Sequence, residues 1–182
     1  MASIFQILKE ITSKHNVDCL LIGGYAVNSH KVSRHTADID FMITRENYNC
    51  IKEELFKIGY SVLNEQNVFA QLTNVMGYRD LDFMFAESGT IKMLLENACV
   101  TTIGGQQFFV PSVSHLIALK LHSIRYNSHR EFIDFPDIIN LIDANGVNID
   151  SPDFVALCKK FGTDELYEKI RAHFQDKRPE NE

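Results

Sequence analysis

Residues Leu20–Ile43 read LLIGGYAVNSHKVSRHTADIDFMI. An apolar run leads into Gly23-Gly24, a polar stretch over Tyr25–Lys31 has the composition of a short helix, and Asp38-Ile39-Asp40 heads a second apolar run ending at Ile43. Paired glycines permit backbone conformations that other residues resist, which suits a tight strand-to-helix turn with exposed amides. Such amides, at the start of a helix, can donate to phosphate oxygens. Alternation along the second strand puts Asp38, Asp40 and Met42 on one face and Ile39, Phe41 and Ile43 on the other. The two aspartates then stand about 7 Å apart along the strand. Like charges on an apolar strand are costly unless a cation neutralises them or they face water. Oxygen ligands select a hard divalent ion, Mg²⁺ or Mn²⁺.

A lone Asp-x-Asp is more often a solvated strand end. Here the pattern recurs. Arg79–Phe85 reads RDLDFMF, with Asp80, Asp82 and Met84 on one face and Leu81, Phe83 and Phe85 on the other. If the two strands are neighbours, three or four carboxylates converge, and two such strands beside a glycine turn favour the metal reading. A third carboxylate can take a proton from an attacking hydroxyl, while a metal pair steadies the entering and leaving oxygens of an in-line phosphoryl displacement. The shared DxDFM words lie in surroundings too dissimilar for a duplication, and we read them as convergence on one task.

The 182 residues, 45% of them hydrophobic, are enough to bury a core. A net charge of −6 argues against a protein that coats nucleic acid by bulk electrostatics, while leaving room for a local basic pocket. Cys19, Cys50, Cys99 and Cys158 form no CxxC pair, and reduced core thiols of a cytoplasmic protein are expected. The N-terminus lacks the continuous apolar region of a signal peptide, and no apolar run reaches the ~20 residues of a membrane span, so a cytoplasmic location and no membrane partner are expected. Periodicity predicts helices over Ala2–His15, Glu46–Ile58 and Thr90–Asn97. Strands are predicted at Cys19–Ile22, Tyr60–Leu63 and Val68–Leu72, and a hairpin around Gly104-Gly105. From Pro111 the pattern is purely helical, with starts at Ser112, near Asp134, at Ser151-Pro152-Asp153 and at Thr163. The expectation is an α/β (α+β) core over residues 1–110 and a helical subdomain over 111–182 packed on it, with a polar end over Gln175–Glu182 that frays.

In the helical half, Val113, Leu116, Ile117, Leu121 and Ile124 form one stripe, and Lys120 falls on it. An ammonium there must find an anion. Either a structural carboxylate such as Asp134 or Asp137 pairs with it, or it reaches across a cleft to a triphosphate. His30, His35, His115 and His122 show no metal-ligand spacing.

With these residues in place, Leu20–Ile43 resembles the signature of the nucleotidyltransferase superfamily related to DNA polymerase beta. Arg34-His-Thr-Ala-Asp-Ile-Asp40, RDLDFMF and the later LIALKLHSIRYNSHREFIDFPDIINLI are most similar to its AbiEii-type branch. The likeness spans about Ile4–Ile142. It implies the nucleotidyltransferase fold: a mixed sheet flanked by helices with a C-terminal helical subdomain. It also implies transfer of a nucleoside monophosphate from a nucleoside triphosphate to an acceptor such as tRNA, protein or a small molecule, with Mg²⁺ or Mn²⁺. Asp38, Asp40 and Asp82 would hold the metals, Asp82 being the candidate base. Gly23, Gly24, Arg34 and Lys120 would meet the nucleotide. A toxin–antitoxin or phage-defence role, with a cognate antitoxin as partner, follows from the same branch. Many active members carry Gly-Ser where this chain has Gly23-Gly24, and lysine where it has Arg79. The alternatives are a noncatalytic nucleotide- or partner-binding member and an antibiotic-modifying enzyme, marked by an acidic pocket beyond the three aspartates.

Overall fold

Side-chain caps set several helices where the sequence places them. In the computed structural model, which describes residues 3–175, the Ser3 hydroxyl accepts from the Gln6 amide at the start of α1 (Ile4–Lys14). Thr44 does the same for Asn47 at α3 (Arg45–Lys57), which follows β1 (Cys19–Leu21), α2 (Gly23–Ser29) and β2 (Ile39–Ile43). The core continues with β3 (Tyr60–Glu65), β4 (Phe69–Asn74), β5 (Leu81–Phe85), α4 (Ser88–Glu96) and the hairpin β6 (Cys99–Ile103) and β7 (Gln106–Val110). The last helices are α5 (Val113–Tyr126), α6 (Glu131–Asn145), α7 (Pro152–Phe161) and α8 (Asp164–Gln175), with a 3₁₀ turn at Ser128–Arg130. Ser151 caps α7 through the Phe154 amide, with Pro152 at its first position. The expected fraying over 176–182 lies outside the described residues.

Two compact units divide the chain. Among the described residues, one runs to Ser29 and resumes over Ser33–Ser112, and the other takes His30–Val32 and continues from Val113. In the first, a five-stranded mixed sheet has the order β1-β2-β5-β4-β3, with β2 and β5 parallel and the remaining neighbours antiparallel. Leu20, Leu21, Ile39, Phe41, Ile43, Leu81 and Phe83 are buried with Tyr48, Ile51 and Leu55 of α3. Phe41 stacks on Phe83 with ring centroids 5.9 Å apart. In the second unit, Leu116, Ile117, Leu121, Ile138, Leu141, Phe154, Cys158 and Ile170 are buried.

Several expected boundaries move. The helix expected at Tyr25–Lys31 begins at Gly23 and stops at Ser29, because Lys31 has φ +66° and cannot continue it. The strands expected from Asp38 and Arg79 begin at Ile39 and Leu81, the first pair of their ladder. Asp38 and Asp80 therefore stand in the loops just ahead of the strands. The thiols are free, but they are not all core residues. Cys158 is buried, whereas Cys50 lies opposite the Tyr48–Ile51–Leu55 stripe of α3 and, like Cys99 of β6, is exposed. Among the described residues, no helix is long and apolar enough to cross a membrane.

Candidate active site

The two DxDFM words are neighbours in space and in register: Ile39 pairs with Leu81, Asp40 with Asp82, Phe41 with Phe83 and Met42 with Met84. Parallel pairing in this register puts Asp40 and Asp82 side by side on one face of the sheet. The next strand continues the row, since Gln71 of β4 pairs with Asp82 and its Nε2 donates to Asp82 Oδ2 at 3.1 Å. Asp38 joins from the loop before β2. One carboxylate oxygen from each of Asp38, Asp40 and Asp82 lies within 4.8 Å of the others, all three residues being half-buried. Hard oxygen donors at that spacing fit a divalent cation such as Mg²⁺ or Mn²⁺.

The glycine turn is built around the same carboxylates. The Ile22 amide donates to the Asp40 carbonyl at 2.9 Å, which binds the end of β1 to β2. Gly23 has φ +59°, and a Cβ there would stand 1.9 Å from Asp40 Oδ2. Only a residue without a side chain fits beneath that carboxylate. Gly24 is buried, and a Cβ on it would meet the Thr36 side chain.

The loop carrying Arg34 and Asp38 is fastened along its length. Asn28 brackets Arg34, accepting from its amide at 2.7 Å and donating to its carbonyl at 2.9 Å. Arg79 Nη1 donates to the carbonyls of Thr36 and Ala37 at 2.8 and 2.9 Å. The Thr36 hydroxyl donates to Asp38 Oδ1 at 3.0 Å. The Arg34 side chain is half-buried. A hollow of about 180 Å³ adjoins the triad, lined by Ala37, Asp38, Leu63, Gln71, Asp80 and Asp82. That volume holds a fragment of a ligand rather than a whole one, which takes about 300–1,000 Å³. A larger hollow, about 670 Å³, is lined by Asp18, Thr44, Asn47, Ile91 and Lys92 and contains none of the triad.

Lys120 is in the helical unit, 5% exposed, with Nζ 2.9 Å from Asp134 Oδ1 and 2.7 Å from Asp137 Oδ2. Arg130 Nε adds a contact to Asp134 Oδ2 at 3.0 Å. Burial alone would raise the Asp134 carboxyl, yet Lys120 and Arg130 together hold it below the ordinary carboxylate value. This is the structural pairing that the sequence offered as the alternative to a phosphate contact. Thr36 belongs to the motif that carries the resemblance but has no role assigned from the sequence, and Gln71 and Asn28 have none either. A polar residue in the apolar Val68–Leu72 run and a threonine two residues before an aspartate were the available signals.

No protein-family model matches the chain, and no curated protein matches its sequence. Solved structures do. The lincosamide antibiotic adenylyltransferase LnuA, with lincomycin bound, superposes with a TM-score of 0.56 at 15% identity, covering 79% of this chain and 99% of that one. The antibiotic-resistance factor ANT(2'')-Ia gives 0.54 at 17%, over 94% and 89% of the two chains. A nucleotidyltransferase-like protein from Paracoccidioides brasiliensis gives 0.53 at 18%, over 97% and 87%. The chain has the nucleotidyltransferase fold.

Proposed function

We propose that this protein is a metal-dependent nucleotidyltransferase, moving a nucleoside monophosphate from a nucleoside triphosphate to an acceptor hydroxyl and releasing pyrophosphate. The observation that carries this reading is the convergence of Asp38, Asp40 and Asp82, from a loop and two parallel strands, with their oxygens within 4.8 Å. Asp38, Asp40 and Asp82 would hold Mg²⁺ or Mn²⁺, whose chemistry when bound would be to neutralise charge on the phosphate oxygens and on pyrophosphate as it leaves. Asp82 is also the base: Gln71 donates to one of its oxygens and orients the carboxylate, which accepts the proton of the acceptor hydroxyl. Gly23 lets the triphosphate approach the backbone closely, Gly24 keeps the turn narrow, and Arg34 supplies positive charge from the loop beside the triad. Lys120, held by two carboxylates, serves the stability of the helical unit.

The acceptor classes are RNA, protein and small molecules, and a toxin–antitoxin or phage-defence setting, with a cognate antitoxin, follows from the resemblance in sequence. One observation favours an aminated small molecule as a second reading: exposed Asp80 lines the hollow together with Asp38 and Asp82, adding a carboxylate beyond the triad. The experiment is transfer of label from each α-³²P nucleoside triphosphate, with Mg²⁺, into total RNA, a protein extract, or lincomycin and tobramycin. Label should appear in one class and vanish with Asp38→Asn/Asp40→Asn. Equal labelling by that variant would sink the proposal, and nucleotide binding without transfer to any class would favour the noncatalytic alternative.

A further inference from the structure

A threonine from the loop ahead of β2 stands against the glycine turn. Thr36 is half-buried, and its Oγ1 lies 3.0 Å from Asp38 Oδ1 and 3.3 Å from the Asp38 carbonyl oxygen, so its single hydrogen is shared between side chain and main chain. Across from it, a Cβ built on Gly24 would stand 2.5 Å from Thr36 Cβ and 2.6 Å from Oγ1. Contacts that short do not occur between real side chains. Positions 24 and 36 therefore share one space, and only one of them can carry a side chain. Thr36 cannot easily retreat, because Arg79 holds its carbonyl and that of Ala37.

We infer that Thr36 is a positioning residue of the carboxylate site, seated in the space Gly24 leaves open and turning Asp38 toward Asp40 and Asp82. The inference rests on the metal-holding role proposed for Asp38. A carboxylate held by a fixed donor presents its other oxygen in one direction, and a cation then binds without first ordering that ligand. Valine at position 36 keeps the shape and removes the donor. Serine keeps the donor.

The test is Mn²⁺ affinity, read from the six-line resonance of the free ion, for wild type, Thr36→Val, Thr36→Ser and Asp38→Asn. Thr36→Val should weaken binding by about 10–100-fold, the usual cost of losing a partner that orients a metal ligand. Thr36→Ser should stay within about threefold of wild type. Thermal unfolding of metal-free protein checks the fold of each variant; if Thr36→Val does not fold, Thr36→Ala tests the same hydroxyl. Gly24→Ala should lower the unfolding temperature, and adding Thr36→Gly, which removes both clashing atoms, should recover part of it. Wild-type affinity in Thr36→Val, with binding lost in Asp38→Asn, overturns the role of Thr36 and leaves the site standing. No Mn²⁺ binding by wild type overturns the reading of the site and the inference with it.

Discussion

Asp40 and Asp82 are direct partners across the parallel pair β2–β5, with Ile39–Leu81 before them and Phe41–Phe83 after. Neighbouring strands lie about 4.8 Å apart, so the two carboxylates share one face at close range, and Asp38 adds a third. Three like charges so placed repel one another unless a cation is bound. Mg²⁺ should therefore raise the unfolding temperature of wild type, at saturation near 100 times its dissociation constant, by the equivalent of about 2.7 kcal/mol. Asp38→Asn/Asp40→Asn should lose that response, and in chelator Asp82→Asn should be at least as stable as wild type. Thermal unfolding with and without chelator measures all three, and an Mg²⁺ response retained by the double variant would contradict the assignment.

Gly23 and Gly146 separate backbone strain from the crowding of the site. Both have positive φ, +59° and +61°, but a Cβ on Gly23 would strike Asp40, whereas one on Gly146 meets nothing within 4 Å. Each alanine substitution should cost about 1–2 kcal/mol for the left-handed conformation. Gly23→Ala should cost more than Gly146→Ala and should also lose much of the Mg²⁺ stabilisation, because Asp40 must move. Calorimetry of the two variants with and without Mg²⁺ decides it. An Mg²⁺ response in Gly23→Ala equal to that in Gly146→Ala would remove the link between the turn and Asp40.

The pairing of Asp40 with Asp82 was legible because the two words share a pattern, and alternation fixed which side chains face together. The third member was legible for a partly mistaken reason. Alternation places Asp38 on the strand, yet it reaches the site from a loop held by Asn28, Thr36 and, from 43 positions away, Arg79, a contact that no local periodicity encodes. Lys120 could be seen to need an anion because an ammonium on an apolar stripe cannot stay unpaired. Which anion it finds depends on how α5 and α6 pack, and both readings fitted the spacing alone. The cysteines misled because apolar neighbours in sequence say little about one face of a helix or strand: Cys50 and Cys99 lie on the outer ones.

The exposed and buried thiols differ in reactivity. Burial pushes the Cys158 thiol up to about 12, so almost none of it is thiolate near pH 8, and the side chain is fully enclosed. A brief iodoacetamide pulse should alkylate Cys50 and Cys99 and spare Cys158, which should react only in denaturant. Peptide mass spectrometry reads each site, and early modification of Cys158 in native protein would show that α7 is not packed as described.

The ion-pair cluster of Lys120, Asp134, Asp137 and Arg130 makes a pH-dependent contribution with a definite sign. Removing Lys120 takes one ammonium away from two buried carboxylates, Asp134 at 1% and Asp137 at 4% exposure. Lys120→Met should cost about 3–5 kcal/mol near neutral pH, the range for breaking a buried pair on one side. The Asp134 carboxyl is held below its ordinary 3.8 in the folded protein. Its contribution is therefore complete above about pH 4, the unfolded value, and is lost as pH falls through the lower folded one. Without Lys120 that depression shrinks, so the acid-unfolding midpoint should move to higher pH. Urea titrations at several pH values, followed by circular dichroism, measure both effects. A variant within about 0.5 kcal/mol of wild type, as for an ordinary surface change, would mean that the Lys120 ammonium does not stabilise the helical unit, and the phosphate-facing role would become the better reading.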